Sequence, residues 1–139
     1  MSALIAAFIA GFLSVLIFHQ GVWAIFAAAG KTPSPAWDMK RVPPLGVPVV
    51  LSAAFWGGVW GVLLALAMPV LVPKLGYWVT CIVAGGLATS LVALFIVFPM
   101  KGRPFAAGWN PVVWVFALLV NAAWGFGFGL LLPLVRRVL

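Results

Sequence analysis

Four long apolar stretches, roughly 3–29, 48–71, 77–98 and 111–135, occupy nearly all of this 139-residue chain. Each reaches or exceeds the ~20 residues that a helix needs to cross the hydrocarbon core of a bilayer. The expected fold class is therefore all-α: a polytopic integral membrane protein with four transmembrane helices. They form two tandem hairpins in a single four-helix transmembrane domain, 1–139.

The charge inventory points the same way. Only 6% of residues are charged and 66% are hydrophobic, too little polarity to cover a water-facing surface. The formal net charge of +7 does not mark a nucleic-acid binder. Lys31, Lys40, Arg41, Lys74, Lys101, Arg103, Arg136 and Arg137 sit in small groups beside the spans, and no long basic run exists to neutralise many phosphates. Such residues anchor helix ends at anionic headgroups and report orientation. The stretches 30–47 and 99–110 hold five of them and the rest of the chain three, which leans toward both termini outside. Arg136 and Arg137 pull the other way, and dual topology stays open. The lone Cys81 rules out an intrachain disulfide and a cysteine-based metal cage within one chain. The leading segment has no Lys or Arg and an apolar run longer than the ~7–15 residues of a signal core, so it reads as a retained first helix. The expected location is the bacterial inner (plasma) membrane.

Punctuation agrees with four spans. Pro33, Pro35, Pro43, Pro44 and Pro48 interrupt any helix between the first two spans, and Pro69 and Pro73 are expected to close the second. Pro111 suits the first turn of the fourth helix, where its missing N–H costs nothing. Trp23, Trp37, Tyr77, Trp78, Trp109 and Trp114 cluster near span ends as an interfacial belt, whereas Trp56, Trp60 and Trp124 sit deeper and need partners or a lipid-facing position.

The halves echo one another. The segment from Ala54 to Gly61 aligns with that from Ala122 to Gly129, Trp56 falling on Trp124 at an offset of 68. Ala36-Trp37-Asp38 also parallels Gly108-Trp109-Asn110. A tandem duplication of a helical hairpin would produce this, as would chance matches among apolar helices rich in Trp and Gly.

Lipid tails are as apolar as leucine, so helices in a bilayer associate through close backbone approach and interhelical hydrogen bonds. Small residues at spacings of four mark the expected packing faces: Gly11 on the first helix, Gly57 and Gly61 on the second, Gly85 on the third, Gly125 and Gly129 on the fourth.

His19 is the only histidine and Asp38 the only acid. At ~1.5 Å per residue, His19 and Asn121 each lie ~15 Å from helix ends on the same side of the membrane. Thr89 and Ser90 share that depth, and Gln20 adjoins His19 but is turned ~100° from it. His19, Gln20, Thr89, Ser90 and Asn121 thus define a candidate polar layer. It reads either as interhelical hydrogen-bond glue or as a ligand or transport path with His19 as proton acceptor.

Hydrolytic chemistry is not expected, because no Ser/His/Asp set lies at one depth and paired carboxylates are absent. Nor do one His, one Cys and one Asp at different depths build a protein zinc site. In size and span count the chain is similar to small multidrug-resistance antiporters and dual-topology fluoride channels. It lacks the antiporters' carboxylate in the first helix and the channels' polar break in the third, so neither family is assigned. Three functional readings follow. The leading one is a non-enzymatic protein that self-associates or serves as an accessory subunit of a larger membrane complex. The others are a small transporter or channel using His19, Thr89 and Asn121, and a haem- or chlorin-binding subunit ligated by His19 beside Phe12, Trp23 and Phe26.

Overall fold

A computed structural model describes residues 1–139. It is an all-α integral membrane bundle with four helices long and apolar enough to span a bilayer: α1 (Ser2–Ala28), α2 (Val49–Leu75), α3 (Tyr77–Met100) and α4 (Pro111–Val138). A two-residue antiparallel pair, β1 (Arg41–Val42) with β2 (Val47–Pro48), precedes α2, and a 3-10 segment, Phe105–Trp109, precedes α4.

The second helix does not stop at its prolines. It runs through Pro69 and Pro73 to Leu75 and ends at Gly76, whose φ of 83° suits a residue without Cβ. The fourth helix likewise passes Pro133. In water a proline's orphaned carbonyl could be solvated by unwinding. In hydrocarbon an unwound backbone exposes still more unpaired groups, so the helix persists.

α1 packs along both α2 and α4, and α3 packs along α4, while α2 and α3 meet sparsely. The order around the bundle is therefore α2–α1–α4–α3, open between its two ends. The core joins small side chains on α1, α2 and α3 (Ala6, Ala7, Ala10, Ala54 and Cys81) to large ones on α4, where Trp124, Phe128 and Leu132 are buried. A Cβ on Gly11 or Gly57 would run into the facing helix, on Gly61 into the Ala7 carbonyl, and on Gly125 into the Cys81 carbonyl. Gly129 faces Trp78 and Cys81, and Gly85 faces Leu64 and Trp124. These glycines are spent on packing within one chain. Large apolar residues such as Ile17, Ile25, Phe55 and Leu66 point outward, as hydrocarbon permits.

Three π-helical turns interrupt the spans, at Val15–His19 in α1 and at Thr80–Ala84 and Ala93–Val97 in α3. In the first, the Gln20 N–H reaches back to Val15 O and Ile17 O and bypasses Leu16 O, which becomes available to a partner outside the helix.

The two halves share local detail. Trp37 and Trp109 both have positive φ, 49° and 58°. The residue after each accepts a hydrogen bond from the N–H two positions on: Asp38 Oδ1 from Lys40 at 2.9 Å, Asn110 Oδ1 from Val112 at 3.0 Å. In both hairpins the Trp-Gly-x-x-x-Gly helix packs its glycines on the helix before it. The tryptophans differ, however: Trp56 is 58% exposed and Trp124 2%.

Candidate functional site

The polar residues fall into three groups rather than one layer. The first joins α3 to α4. Asn121 Nδ2 donates to Ser90 Oγ at 3.0 Å, and the Ser90 hydroxyl lies 2.7 Å from Gly86 O and 3.2 Å from Ala117 O, either of which can take its single proton. Thr89 Oγ1 donates back to Gly85 O (2.9 Å) or Gly86 O (3.0 Å), so its hydroxyl is spent on its own helix.

The second group joins α1 to α4 and centres on two residues outside the sequence-derived layer. Ser14 Oγ donates to Trp124 O at 2.7 Å, and Trp124 Nε1 donates to Gly11 O at 3.0 Å. The Trp124 ring also stacks on Phe128 and abuts Gly57 and Gly85, so it touches every other helix. Trp124 needs a partner at that depth, as the sequence indicates. Ser14 was a legible signal too, the only hydroxyl in the apolar first half of α1 beyond Ser2.

The third group lies where α1 meets the proline-rich segment before α2. That segment does not sit beyond the end of α1; it folds back along it. Trp37 N–H donates to Gln20 Oε1 at 2.8 Å, and Trp37 Nε1 donates to the bypassed Leu16 O at 2.7 Å. Trp23 Nε1 reaches Ser34 O at 3.0 Å. Val50 N–H bonds to Asp38 O, so α2 begins at the depth of Gln20. α1 therefore overhangs α2 by the eight residues beyond Gln20 (Gly21 to Ala28), or ~12 Å at the helical rise. Proline supplies the reason: five of them between 33 and 48 leave few N–H groups to satisfy and favour extended backbone. The indole, amide and freed carbonyl answer the remaining polar groups.

His19 belongs to this third group. Its ring stacks on Trp23 (centroids 6.2 Å, 19° between planes), and Trp23 meets Phe116 of α4 edge-on at 4.9 Å. Its hydrogen-bond partner is Gln20 Nε2, 3.4 Å from Nδ1. Gln20 is the next residue along the helix, and its long side chain reaches across to bridge the His19 ring to Trp37. No hydrogen bond joins His19 to Asn121, Thr89 or Ser90.

This geometry bears on ligation. A backbone N–H can only donate, so Trp37 fixes Oε1 as the arm of the Gln20 amide facing it, and the NH2 arm faces His19 Nδ1. Nδ1 must accept, which places the ring proton on Nε2. A metal-bound histidine normally coordinates through one nitrogen and donates from the other. Ligation of haem or chlorin through His19 Nε2 would require the Gln20 amide or the ring to reorient so that Nδ1 donates instead. No cluster of three or more His, Cys, Asp or Glu side chains is positioned to hold a metal ion.

Every buried side-chain nitrogen and oxygen has a hydrogen-bond partner within the chain. The opening between α2 and α3 is a shallow apolar groove lined by Trp60, Leu63, Ala67, Ala84 and Ala88, with Trp124 at its floor. No protein-family model, curated protein or solved structure matches the chain.

Proposed function

We propose that this integral membrane protein is a non-catalytic component of the plasma membrane that acts by helix association, its α2/α3 groove receiving a second copy of the chain. The open bundle order is the observation that carries the reading. The packing glycines are used inside the monomer, so association through those faces is replaced by association through the groove. Ala84 and Ala88 stand four apart on α3, the spacing that lets another backbone approach closely. Leu63, 49% exposed, lines the same groove across from these small residues. Bulky and small positions on one face make it self-complementary, as a two-fold interface requires. The satisfied polar groups support a structural role for Ser90 and Asn121, each bond being worth ~0.6 kcal/mol in a membrane on average.

The test is subunit exchange in liposomes by fluorescence transfer between labelled copies. The wild type gives a transfer signal that falls on dilution with lipid, and Ala88→Leu, which fills the groove, weakens association at least about tenfold. A wild-type protein that stays monomeric at high protein-to-lipid ratio refutes self-association. Liposome flux by the purified protein refutes the non-catalytic part.

A further inference from the structure

The geometry points to a proton-operated latch: neutral His19 holds the Gln20 amide in the orientation that ties the Trp37 loop to α1, and protonation of His19 releases that tie. The chain of bonds is short and directional. Trp37 N–H donates to Gln20 Oε1, and Gln20 Nε2 donates to His19 Nδ1. Adding a proton to the ring places N–H on Nδ1, opposite an NH2 group that also can only donate. Two donors face each other, so the amide turns over to offer Oε1 to the imidazolium. Its NH2 then faces the Trp37 N–H, and the 2.8 Å bond is lost. The proton comes from water and stays on the ring, and no covalent bond changes.

The surroundings set what the switch responds to. The segment folded on α1 carries Lys31, Asp38, Lys40 and Arg41, and the Asp38 carboxylate already accepts the Lys40 N–H. α2 has no ionisable side chain before Lys74, α3 none near the depth of Ser90, and α4 none before Arg136. His19 is the only ionisable side chain on α1. The remaining ties, Trp37 Nε1 to Leu16 O and Trp23 Nε1 to Ser34 O, do not depend on the ring proton. The released loop is therefore loosened at Trp37 rather than detached. Loosening it uncovers the N-terminal turn of α2, whose Val50 N–H is held by Asp38 O.

The experiment uses the full chain in nanodiscs with 15N-labelled histidine, where the single ring gives an unambiguous spectrum. The expected neutral form is the Nε2–H tautomer. As pH falls and the ring protonates, hydrogen-exchange protection of the Trp37 amide, referenced to that of Val112, drops about tenfold. His19→Asn offers a non-titrating acceptor to Gln20 and keeps the protection at all pH. Gln20→Leu lowers it at all pH. The proposal is overturned by an Nδ1–H tautomer at neutral pH, or by a ring that does not titrate between about pH 4 and 8. A His19→Asn variant that responds to pH like the wild type also overturns it. The tautomer reading comes from unmutated protein and stands whether or not the variants fold.

Discussion

Ser14 and Trp124 bind α1 and α4 to one another reciprocally, the hydroxyl giving its proton to the Trp124 carbonyl and the indole giving its own to Gly11 O. Ser14 Oγ and Gly11 O lie about one turn apart on α1, so a single tryptophan receives a bond through its backbone and returns one through its side chain. Both donors are fully used at a depth where no water competes.

Trp124→Phe keeps most of the ring and removes the donor, leaving Gly11 O without its indole partner. The expected loss is ~1 kcal/mol, within the ~0.6–1.7 kcal/mol range of membrane hydrogen bonds. Ser14→Ala is expected to cost a similar amount. Because the two bonds join the same pair of helices, the double variant should lose less than the sum. Reversible unfolding in mixed micelles measures all three.

Gly125→Ala is expected to destabilise by ~1–3 kcal/mol, since its Cβ overlaps the Cys81 carbonyl and backbone cannot step aside as a side chain can. Gly21→Ala is the matched control. Nothing lies within 4 Å of its added methyl, and the change is expected to be neutral or stabilising by less than ~1 kcal/mol. Equal effects at the two positions, read from thermal aggregation in one detergent, would remove close helix contact as the cause.

Asn121→Leu removes the amide that bonds Ser90 Oγ while leaving that oxygen its backbone acceptors at Gly86 and Ala117. The expected cost is therefore small, ~0.5 kcal/mol. Ser90→Ala strands the Asn121 amide and should cost more than Asn121→Leu. A transport path through these residues would instead show as lost flux with stability unchanged.

Much of this architecture is legible in the residues. Hydropathy alone marks four spans, because backbone in hydrocarbon has so few alternatives to helix. Small residues four apart mark Gly11, Gly57, Gly61, Gly85, Gly125 and Gly129, because close approach needs absent side chains. Depth arithmetic puts His19 level with Asn121, but depth says nothing of azimuth, and the two lie in separate clusters. The π turn at Val15–His19 rotates everything after it and has no signature in the local composition. One tie of the folded-back loop, Trp37 Nε1 to Leu16 O, uses a carbonyl that this turn frees. Pro69 and Pro73 read as stops by rules calibrated in water, and the bilayer relaxes those rules.

The most direct measurement places a photoreactive side chain at Ala88 in native membranes, with another at Ile17, which faces outward on α1, for comparison. Helix association at the α2/α3 groove requires an adduct of twice the chain's mass from Ala88 and a lipid adduct from Ile17. Lipid adducts alone from both positions, or an Ala88 adduct to a different protein in place of a second copy, would contradict self-association at this face.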